Sequence, residues 1–287
     1  MFESPEAVST RLAGVGYLVD AAAATTVFLA ARLGRPLLIE GPAGVGKTEL
    51  AKAVAQVTDA ELIRLQCYEG LDEARALYEW NYKKQLLRIQ SAGSDHDWEK
   101  THDDIFTEEF LLARPLLTAI RRAEPTVLLI DEADKTDVEV EALLLEVLSE
   151  FQVTIPELGT IVASRRPFAV VTSNATRELS EALKRRCLYL YLDYPTSQRE
   201  KEIVRSRVPE IDDALAEQLV TMVSALRGLD LKKSPSVAET IDWARTLLAL
   251  GAGDLDPQVA ADTLGVVLKH HSDHRKAVEA LKLPAAR

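Results

Sequence analysis

The residues with the clearest chemistry form a glycine-rich stretch that fits the pattern G-x-x-x-x-G-K-S/T without a mismatch. Glycines let the backbone curl so that several N–H groups point at a phosphate, and a following helix adds its positive end. Lys47 would reach the β- and γ-phosphates of a nucleotide, and the Thr48 hydroxyl would ligate Mg²⁺. A chance match on a turn is the alternative, which an apolar run before the loop and a helical pattern after it disfavour. The predicted site for ATP and Mg²⁺ consists of Gly41, Pro42, Ala43, Gly44, Val45, Gly46, Lys47 and Thr48.

Two adjacent acids follow an apolar run about 80 residues downstream. Asp131 at the end of a buried strand would complete the Mg²⁺ shell, and Glu132 would polarise the attacking water. Taken alone, the pair would be read as a helix cap with an acidic first turn. Its combination with the phosphate loop favours the catalytic interpretation.

Three further polar residues are candidates for contact with the nucleotide. Asn174 ends a later apolar run and could hydrogen-bond the γ-phosphate or the water, although asparagine is also common in turns. Arg185 and Arg186 precede the fifth apolar run. They could reach the nucleotide of a neighbouring subunit as an arginine finger, or form a solvated basic helix end.

An alternation of strands and helices is needed to position these residues. Buried strands are predicted at residues 37–39, 62–65, 126–130, 168–172 and 188–192. Helices are predicted at residues 21–33, 47–57, 72–89, 110–122 and 138–148, with a polar loop at 91–100 and a hairpin at 151–162. This order predicts an α/β fold with a parallel five-stranded sheet and helices on both faces.

The strand pattern stops after Tyr194. Helices alone are predicted beyond it, at residues 198–207, 213–226, 237–250 and 257–271. We therefore predict two domains, an α/β nucleotide-binding domain of residues 1–194 and a small all-α lid domain of residues 195–287.

Composition excludes several classes of protein. The chain has 287 residues with 34 Lys and Arg against 45 Asp and Glu, a net charge of -11, which disfavours nucleic-acid binding. Two cysteines are too few for a disulfide framework or a four-ligand zinc site. No leader peptide or membrane-spanning run is recognised, so a cytoplasmic location is expected. Peripheral attachment to a membrane is left open.

The order of these features resembles the P-loop NTPases of the AAA+ class, and within them the MoxR family. Residues 65–73, 77–82, 151–160 and 183–189 are similar to the CoxD-type subgroup. The resemblance implies an ATP-hydrolysing chaperone that matures a molybdenum hydroxylase, typically aerobic carbon monoxide dehydrogenase. It also implies a ring, usually a hexamer, and a partner with a von Willebrand A-type fold.

The resemblance also implies roles for single residues. Lys47 and Thr48 match the Walker A motif, and Asp131 and Glu132 match Walker B. Asn174 matches sensor 1, and Arg186 matches the finger better than Arg185. The resemblance places adenine contacts at Val15, Gly16 and Tyr17. In one respect the chain departs from the family, whose lid often reads Ser-Pro-Arg with the arginine as sensor 2, because here the tripeptide is Ser234-Pro235-Ser236. Lys232, Lys233 or Arg245 could replace the missing cation, or the lid could sense the nucleotide weakly.

Two other functions fit the same motifs. One is a nucleic-acid motor or clamp-loader-like ATPase, which the acidic balance disfavours. The other is an assembly scaffold with little turnover, which would not need the acid at Glu132. The tract His270–His274 could bind a metal, but a solvated helix end is the preferred interpretation.

Overall fold

The computed structural model describes residues 1–92 and 104–284. Contacts between residues divide the chain into two units. The first contains residues 1–15, 19–40 and 48–191, and the second contains residues 16–18, 41–47 and 192–287. The phosphate loop is therefore grouped with the C-terminal helices, although it lies early in the chain. The domain boundary before Pro195 stays a prediction.

The first unit is built on a parallel five-stranded sheet, which confirms the predicted fold class. The strand order is β2-β5-β8-β1-β9. Its strands are β1 (Leu37–Glu40), β2 (Glu61–Gln66), β5 (Thr126–Asp131), β8 (Phe168–Ser173) and β9 (Leu188–Tyr191). Every residue of β5 and β8 is buried, because apolar side chains cover both faces of these strands. Two-stranded antiparallel pairs are formed by β3 (Tyr78–Trp80) with β4 (Leu111–Ala113) and by β6 (Gln152–Ile155) with β7 (Gly159–Val162).

Several helices of this unit begin at a side-chain cap or end at a glycine. Ser4 and Asp20 cap the first two helices through their side chains, and Gly34 ends the second with a φ of 61°. The helices are α1 (Pro5–Gly14), α2 (Ala21–Leu33), α3 (Lys47–Val57), α4 (Glu73–Ala76), α5 (Tyr82–Ala92), α6 (Pro115–Arg121), α7 (Val138–Glu150) and α8 (Glu181–Arg186). The predicted helices at 21–33 and 47–57 are confirmed without any change of bounds.

The long helix predicted at residues 72–89 is wrong. The chain forms α4, then β3, and starts again at α5, where the Asn81 side chain accepts a hydrogen bond from the backbone N–H of Lys84. The break is stabilised by β4, which pairs with β3 from about 30 residues further along. A periodic pattern read locally does not reveal such a partner.

The helix predicted at residues 110–122 is wrong in its first half. Residues 111–113 form β4, and α6 starts only at Pro115, which occupies the first turn because it has no N–H to donate. The loop predicted at 91–100 begins with two residues of α5, and its remainder lies outside the described residues. The hairpin predicted at 151–162 is confirmed as β6 and β7.

The second unit is helical from residue 192 onward in the part that the structure describes. Its helices are α9 (Ser197–Arg207), α10 (Asp213–Arg227), α11 (Val237–Ala249), α12 (Pro257–Thr263) and α13 (His271–Ala280). They pack around a core that includes the fully buried Trp243. The single helix predicted at 257–271 is wrong, because α12 ends at Thr263 and a 3₁₀ turn, Leu264–Val266, follows. His270 and His271 therefore start a helix rather than end one.

Candidate active site

The phosphate loop adopts a backbone that only glycine accepts without strain. Gly41, Gly44 and Gly46 have φ angles of 151°, 76° and 102°. A Cβ atom on Gly41 would lie 1.9 Å from the carbonyl oxygen of Leu192, and one on Gly44 would lie 2.4 Å from the Cβ of Ser236. The loop therefore depends on glycine for its conformation and for close packing against its own unit.

Lys47 is buried, and its ammonium lies inside the loop. The Nζ atom donates to the carbonyl oxygens of Gly41 and Pro42, at 2.7 and 2.8 Å. These bonds satisfy a charge that burial would otherwise penalise. They also hold the ammonium beside the backbone that would face a phosphate.

Residues predicted to contact adenine lie beside the same loop. The Tyr17 hydroxyl donates to the carbonyl oxygen of Gly46 at 3.1 Å. The φ of Gly16 is 74°, and a Cβ atom there would lie 3.2 Å from the Ser206 hydroxyl. Tyr17 thus supports the loop directly, and Gly16 provides the sharp turn before it.

Ser236 lies where the resemblance to the MoxR family predicts a sensor 2 arginine. It caps α11, and its hydroxyl and backbone N–H form a reciprocal pair of bonds with Glu239. Two of the three candidate replacement cations pair with carboxylates instead. Lys233 pairs with Glu239 at 3.3 Å, and Arg245 pairs with Asp242 at 3.4 Å.

In the first unit, the predicted Mg²⁺ ligands lie together. The Thr48 hydroxyl donates to Oδ1 of Asp131 at 2.9 Å, and the Thr172 hydroxyl donates to the same oxygen at 2.6 Å. Hard oxygen donors of this kind suit Mg²⁺, which binds proteins through one or two carboxylates and keeps several waters. The donor set therefore fits the expected ion.

Arg64 is a site residue that the sequence interpretation missed. Its Nε and Nη2 atoms donate to Oδ2 of Asp131, at 3.1 and 2.5 Å. A carboxylate that is 3% exposed needs such a partner, because an unpaired buried charge is costly. The sequence did contain a clue to this role, because Arg64 is the one charged residue in the otherwise apolar run at 62–65.

Glu132 is held in an unusual backbone conformation and by three side chains. Its φ is 59°, the left-handed region, which is uncommon for glutamate and costly unless its surroundings enforce it. Its carboxylate accepts from Gln66 at 2.9 Å, Lys135 at 2.6 Å and Asn174 at 3.3 Å. The hydrogen bond and charge of Glu132 raise the pKa of Lys135. The predicted base and sensor are therefore in contact.

Asp134 fixes the backbone that carries Asn174. It is 3% exposed and accepts from the backbone N–H groups of Asn174 and Thr176, at 3.1 and 3.0 Å. The Thr176 hydroxyl donates to it as well, at 2.5 Å. Burial raises the pKa of the Asp134 carboxyl, but these hydrogen bonds outweigh burial and hold the pKa below its usual value.

The arginine pair lies at the end of α8, and a further arginine holds that end. Arg185 and Arg186 are exposed. Arg35 donates to the backbone carbonyl oxygens of both, at 2.6 and 3.2 Å, and thereby satisfies the end of the helix. At the other end, the backbone N–H of Ser180 donates to the buried Glu141 at 2.9 Å. Sequence reasoning missed Arg35 and Glu141, since their partners are distant in the chain.

A family model described as an AAA domain of the dynein-related subfamily matches residues 36–187, more than half of the chain. The chain belongs to this family. It is an AAA+ ATPase with a parallel five-stranded sheet and a C-terminal helical region.

Alignments of this AAA+ ATPase with similar proteins cover most of its length. An uncharacterised protein of Staphylococcus aureus is 27% identical over 224 residues, which is 76% of this chain and 77% of the relative. An uncharacterised protein of Staphylococcus haemolyticus is 25% identical over the same shares. A RuvB variant of Thermotoga maritima is similar in fold, with a TM-score of 0.50 and 20% identity over 98% of this chain and 71% of that chain.

A separate metal site or a reactive thiol would be a further source of chemistry in the described residues of the AAA+ ATPase. Residues 1–92 and 104–284 contain no cluster of three or more His, Cys, Asp or Glu arranged for a metal, His270–His274 included. Burial, followed by the charge of Asp131, raises the pKa of the Cys67 thiol to about 12, so it stays protonated. Within the same ranges, no helix has the length and apolar character to cross a bilayer.

Replacement of Asp134 by Asn should lower kcat of the AAA+ ATPase by about tenfold, because the loop carrying Asn174 loses charge-assisted bonds of about 1.5 kcal/mol or more. The free energy of unfolding should also fall above pH 4, roughly the pKa of an unfolded Asp. This loss should vanish as the pH drops through the lowered folded pKa, since the native carboxyl is then protonated too. Urea unfolding between pH 3 and 7 measures it.

The matched control for that experiment is Asp137→Asn, at an exposed residue whose side chain makes no cap hydrogen bond to α7. It should leave kcat and the pH dependence of unfolding as in the native chain. If the two variants had equal kcat and equal pH dependence of unfolding, Asp134 would not be what positions the backbone of Asn174.

Proposed function

We propose that this AAA+ ATPase hydrolyses ATP with Mg²⁺, using the residues of its phosphate loop and of the carboxyl ends of β5 and β8. The contact between the Thr48 hydroxyl and Asp131, at 2.9 Å, carries the proposal, because it joins the two oxygen ligands that such a reaction requires. Mg²⁺ would supply charge neutralisation at the β- and γ-phosphates.

Each side chain then has a separate task in the proposed reaction. Lys47 binds the phosphates, and the backbone N–H groups of residues 41–47 surround them. Asn174 orients the attacking water, and Glu132 accepts its proton. Arg64 donates two hydrogen bonds to one oxygen of the Asp131 carboxylate and thereby orients the carboxylate toward the metal.

We further infer that the protein acts as a homo-oligomeric ring, a hexamer, with an active site completed across subunits. Support comes from the exposed guanidinium groups of Arg185 and Arg186, for which the described residues offer no side-chain partner. Arg35 and Glu141 fix the two ends of the short helix that carries them. A cation held on a rigid element, with no side-chain partner among residues 1–92 and 104–284, suits a role in trans.

Mixing two inactive variants tests the trans role. Arg186→Ala subunits retain the phosphate loop, and Lys47→Ala subunits retain the arginine. Their mixture should recover a measurable part of the native rate of phosphate release, because some interfaces then combine both intact parts. The double variant Lys47→Ala/Arg186→Ala, mixed with either single variant, should restore none. Absence of recovery in rings of native size would contradict the assignment of Arg186.

For the biological role we propose a MoxR-type chaperone of the CoxD-like subgroup, located in the cytoplasm. The client would be a molybdenum hydroxylase such as aerobic carbon monoxide dehydrogenase, with a von Willebrand A-type protein as partner. The proposal is supported by the similarity of residues 65–73 and 151–160 to that subgroup. It agrees with the buried, protonated Cys67, which leaves metal and sulfur chemistry to the client.

The client proposal is tested with inactive carbon monoxide dehydrogenase purified without its mature metal centre. The native chain should bind it, hydrolyse ATP several-fold faster in its presence and raise its activity. The Glu132→Gln variant should bind it but should not activate it. Stimulation by duplex DNA, with none by the dehydrogenase, would contradict the proposal and favour a nucleic-acid motor instead.

A further inference from the structure

A cavity of about 300 Å³ lies at the amino ends of β5 and β8, the opposite end of these strands from Asp131 and Asn174. Thr126 and Phe168, the first residues of β5 and β8, contribute to its lining. Asp131 ends β5 after six residues, about 17 Å away at the rise of a strand. The cavity is therefore a separate place in the first unit, and the proposed hydrolysis does not use it.

The charge of this cavity is opposite to that of the whole protein. Three arginines, Arg11, Arg165 and Arg166, are among its nine lining residues, and none of the nine is acidic. The chain as a whole has 45 acidic against 34 basic residues. Two carboxylates adjacent in sequence to lining residues, those of Glu61 and Glu124, pair with Arg122 at 2.7 and 3.8 Å.

Two of the three guanidinium groups are held in place. Arg11 donates to the backbone carbonyl of Val57, and its guanidinium lies 5.3 Å from the ring centre of Phe2. Arg166 lies 5.6 Å from the ring centre of the buried Phe151. Stacked or anchored arginines need little further ordering to bind an anion.

Arg165 is the third cation, and it differs from the other two. It is exposed, and no hydrogen bond, ion pair or ring contact of its side chain exists within the described residues. Its donors remain available for a ligand that enters the cavity. Ala60, Pro125 and Phe168 supply apolar surface next to these donors.

We propose that this cavity binds the phosphate group of a small phosphorylated metabolite. Guanidinium groups form bidentate, charge-assisted hydrogen bonds with phosphate oxygens, and three arginines line this cavity with no acidic residue among its nine lining residues. The volume is at the lower limit of small-molecule sites, so it suits a phosphate monoester with a small apolar part.

The test uses the full chain, saturated with ADP and Mg²⁺ so that its phosphate loop is filled. Phenyl phosphate and inorganic phosphate are titrated separately by calorimetry. Phenyl phosphate should bind with a Kd of about 1 mM or below. Tighter binding of phenyl phosphate assigns the site to a phosphate ester, whereas tighter binding of inorganic phosphate makes free phosphate the ligand and overturns the assignment to a metabolite.

Variants locate the binding. Arg165→Ala/Arg166→Ala should weaken binding of phenyl phosphate at least tenfold, and Arg165→Lys/Arg166→Lys should weaken it less, because charge remains without the bidentate geometry. The control Arg32→Ala/Arg245→Ala removes the same charge from exposed positions and should keep native affinity. The proposal is overturned by unchanged binding in the first variant, by an equal loss in the control, or by no saturation up to about 10 mM.

Discussion

Replacement of Glu132 by Gln should lower kcat for ATP hydrolysis by a factor of about 10² to 10⁴, the range expected when a general base is lost. The amide oxygen of a glutamine can still accept from Gln66 and Lys135, which share one carboxylate oxygen of Glu132, but the amide nitrogen cannot accept from Asn174. The amide also cannot take a proton from water. The Kd for ATP should therefore stay within about twofold of the native value. Phosphate release measures the first quantity, and fluorescent nucleotide titration measures the second.

Glu202→Gln is the control for this experiment. Glu202 also pairs with a cation, Arg199 at 3.0 Å, but it lies on the exposed surface of α9. The same loss of charge there should leave kcat unchanged. If Glu132→Gln kept native turnover, Glu132 would not be the base. The assignment of proton transfer to Glu132 and of metal binding to Asp131 would then be wrong.

Replacement of Arg227 by Ala should lower the free energy of unfolding of the helical unit by about 3–5 kcal/mol. Two guanidinium nitrogens of Arg227 donate to the two carboxylate oxygens of Glu200, at 2.6 and 2.8 Å. Glu200 is 1% exposed and accepts from the Thr240 hydroxyl as well, at 2.7 Å. Without Arg227 the carboxylate stays buried next to a single neutral donor. Urea unfolding followed by circular dichroism measures the loss.

Two matched variants separate the cause of that loss. Arg245→Ala breaks an exposed pair with Asp242 and should cost no more than about 1 kcal/mol. Glu200→Leu/Arg227→Met replaces the buried pair by apolar groups of similar size and should be more stable than Arg227→Ala alone. A loss below about 1 kcal/mol in Arg227→Ala would show that the buried pair is not a main source of stability.

The conformation of the phosphate loop was predictable because its determinants are contiguous. Its glycines, its lysine and the first turn of α3 lie within eight residues, so a short pattern contains the geometry. The core strands were recognisable for a related reason. β5 and β8 are buried on both faces and read as unbroken apolar runs.

Elements whose stability depends on distant partners were not predictable in this way. β3 is a strand because β4, about 30 residues later in the chain, pairs with it, and the same residues read alone resemble a helix. The start of α13 was not predictable for the same reason. The 3₁₀ turn Leu264–Val266 separates α13 from α12, and Leu264, Val267 and Leu268 are buried in the helical core there. Local propensity is a weak determinant where tertiary pairing competes with it.

The sequence by itself determined which residues could hold ATP and Mg²⁺, since motif spacing encodes the loop and the acidic strand end. Only the tertiary structure decided how these residues are held. It places Arg64 on Asp131, Asp134 on the backbone of Asn174 and Arg35 on the end of α8. The physical reason is that a buried charge or an unsatisfied helix end must find a partner wherever the fold offers one. That partner can be distant along the chain, since Arg64 lies 67 residues from the buried Asp131 and Arg35 lies 150 residues from the end of α8 at Arg185.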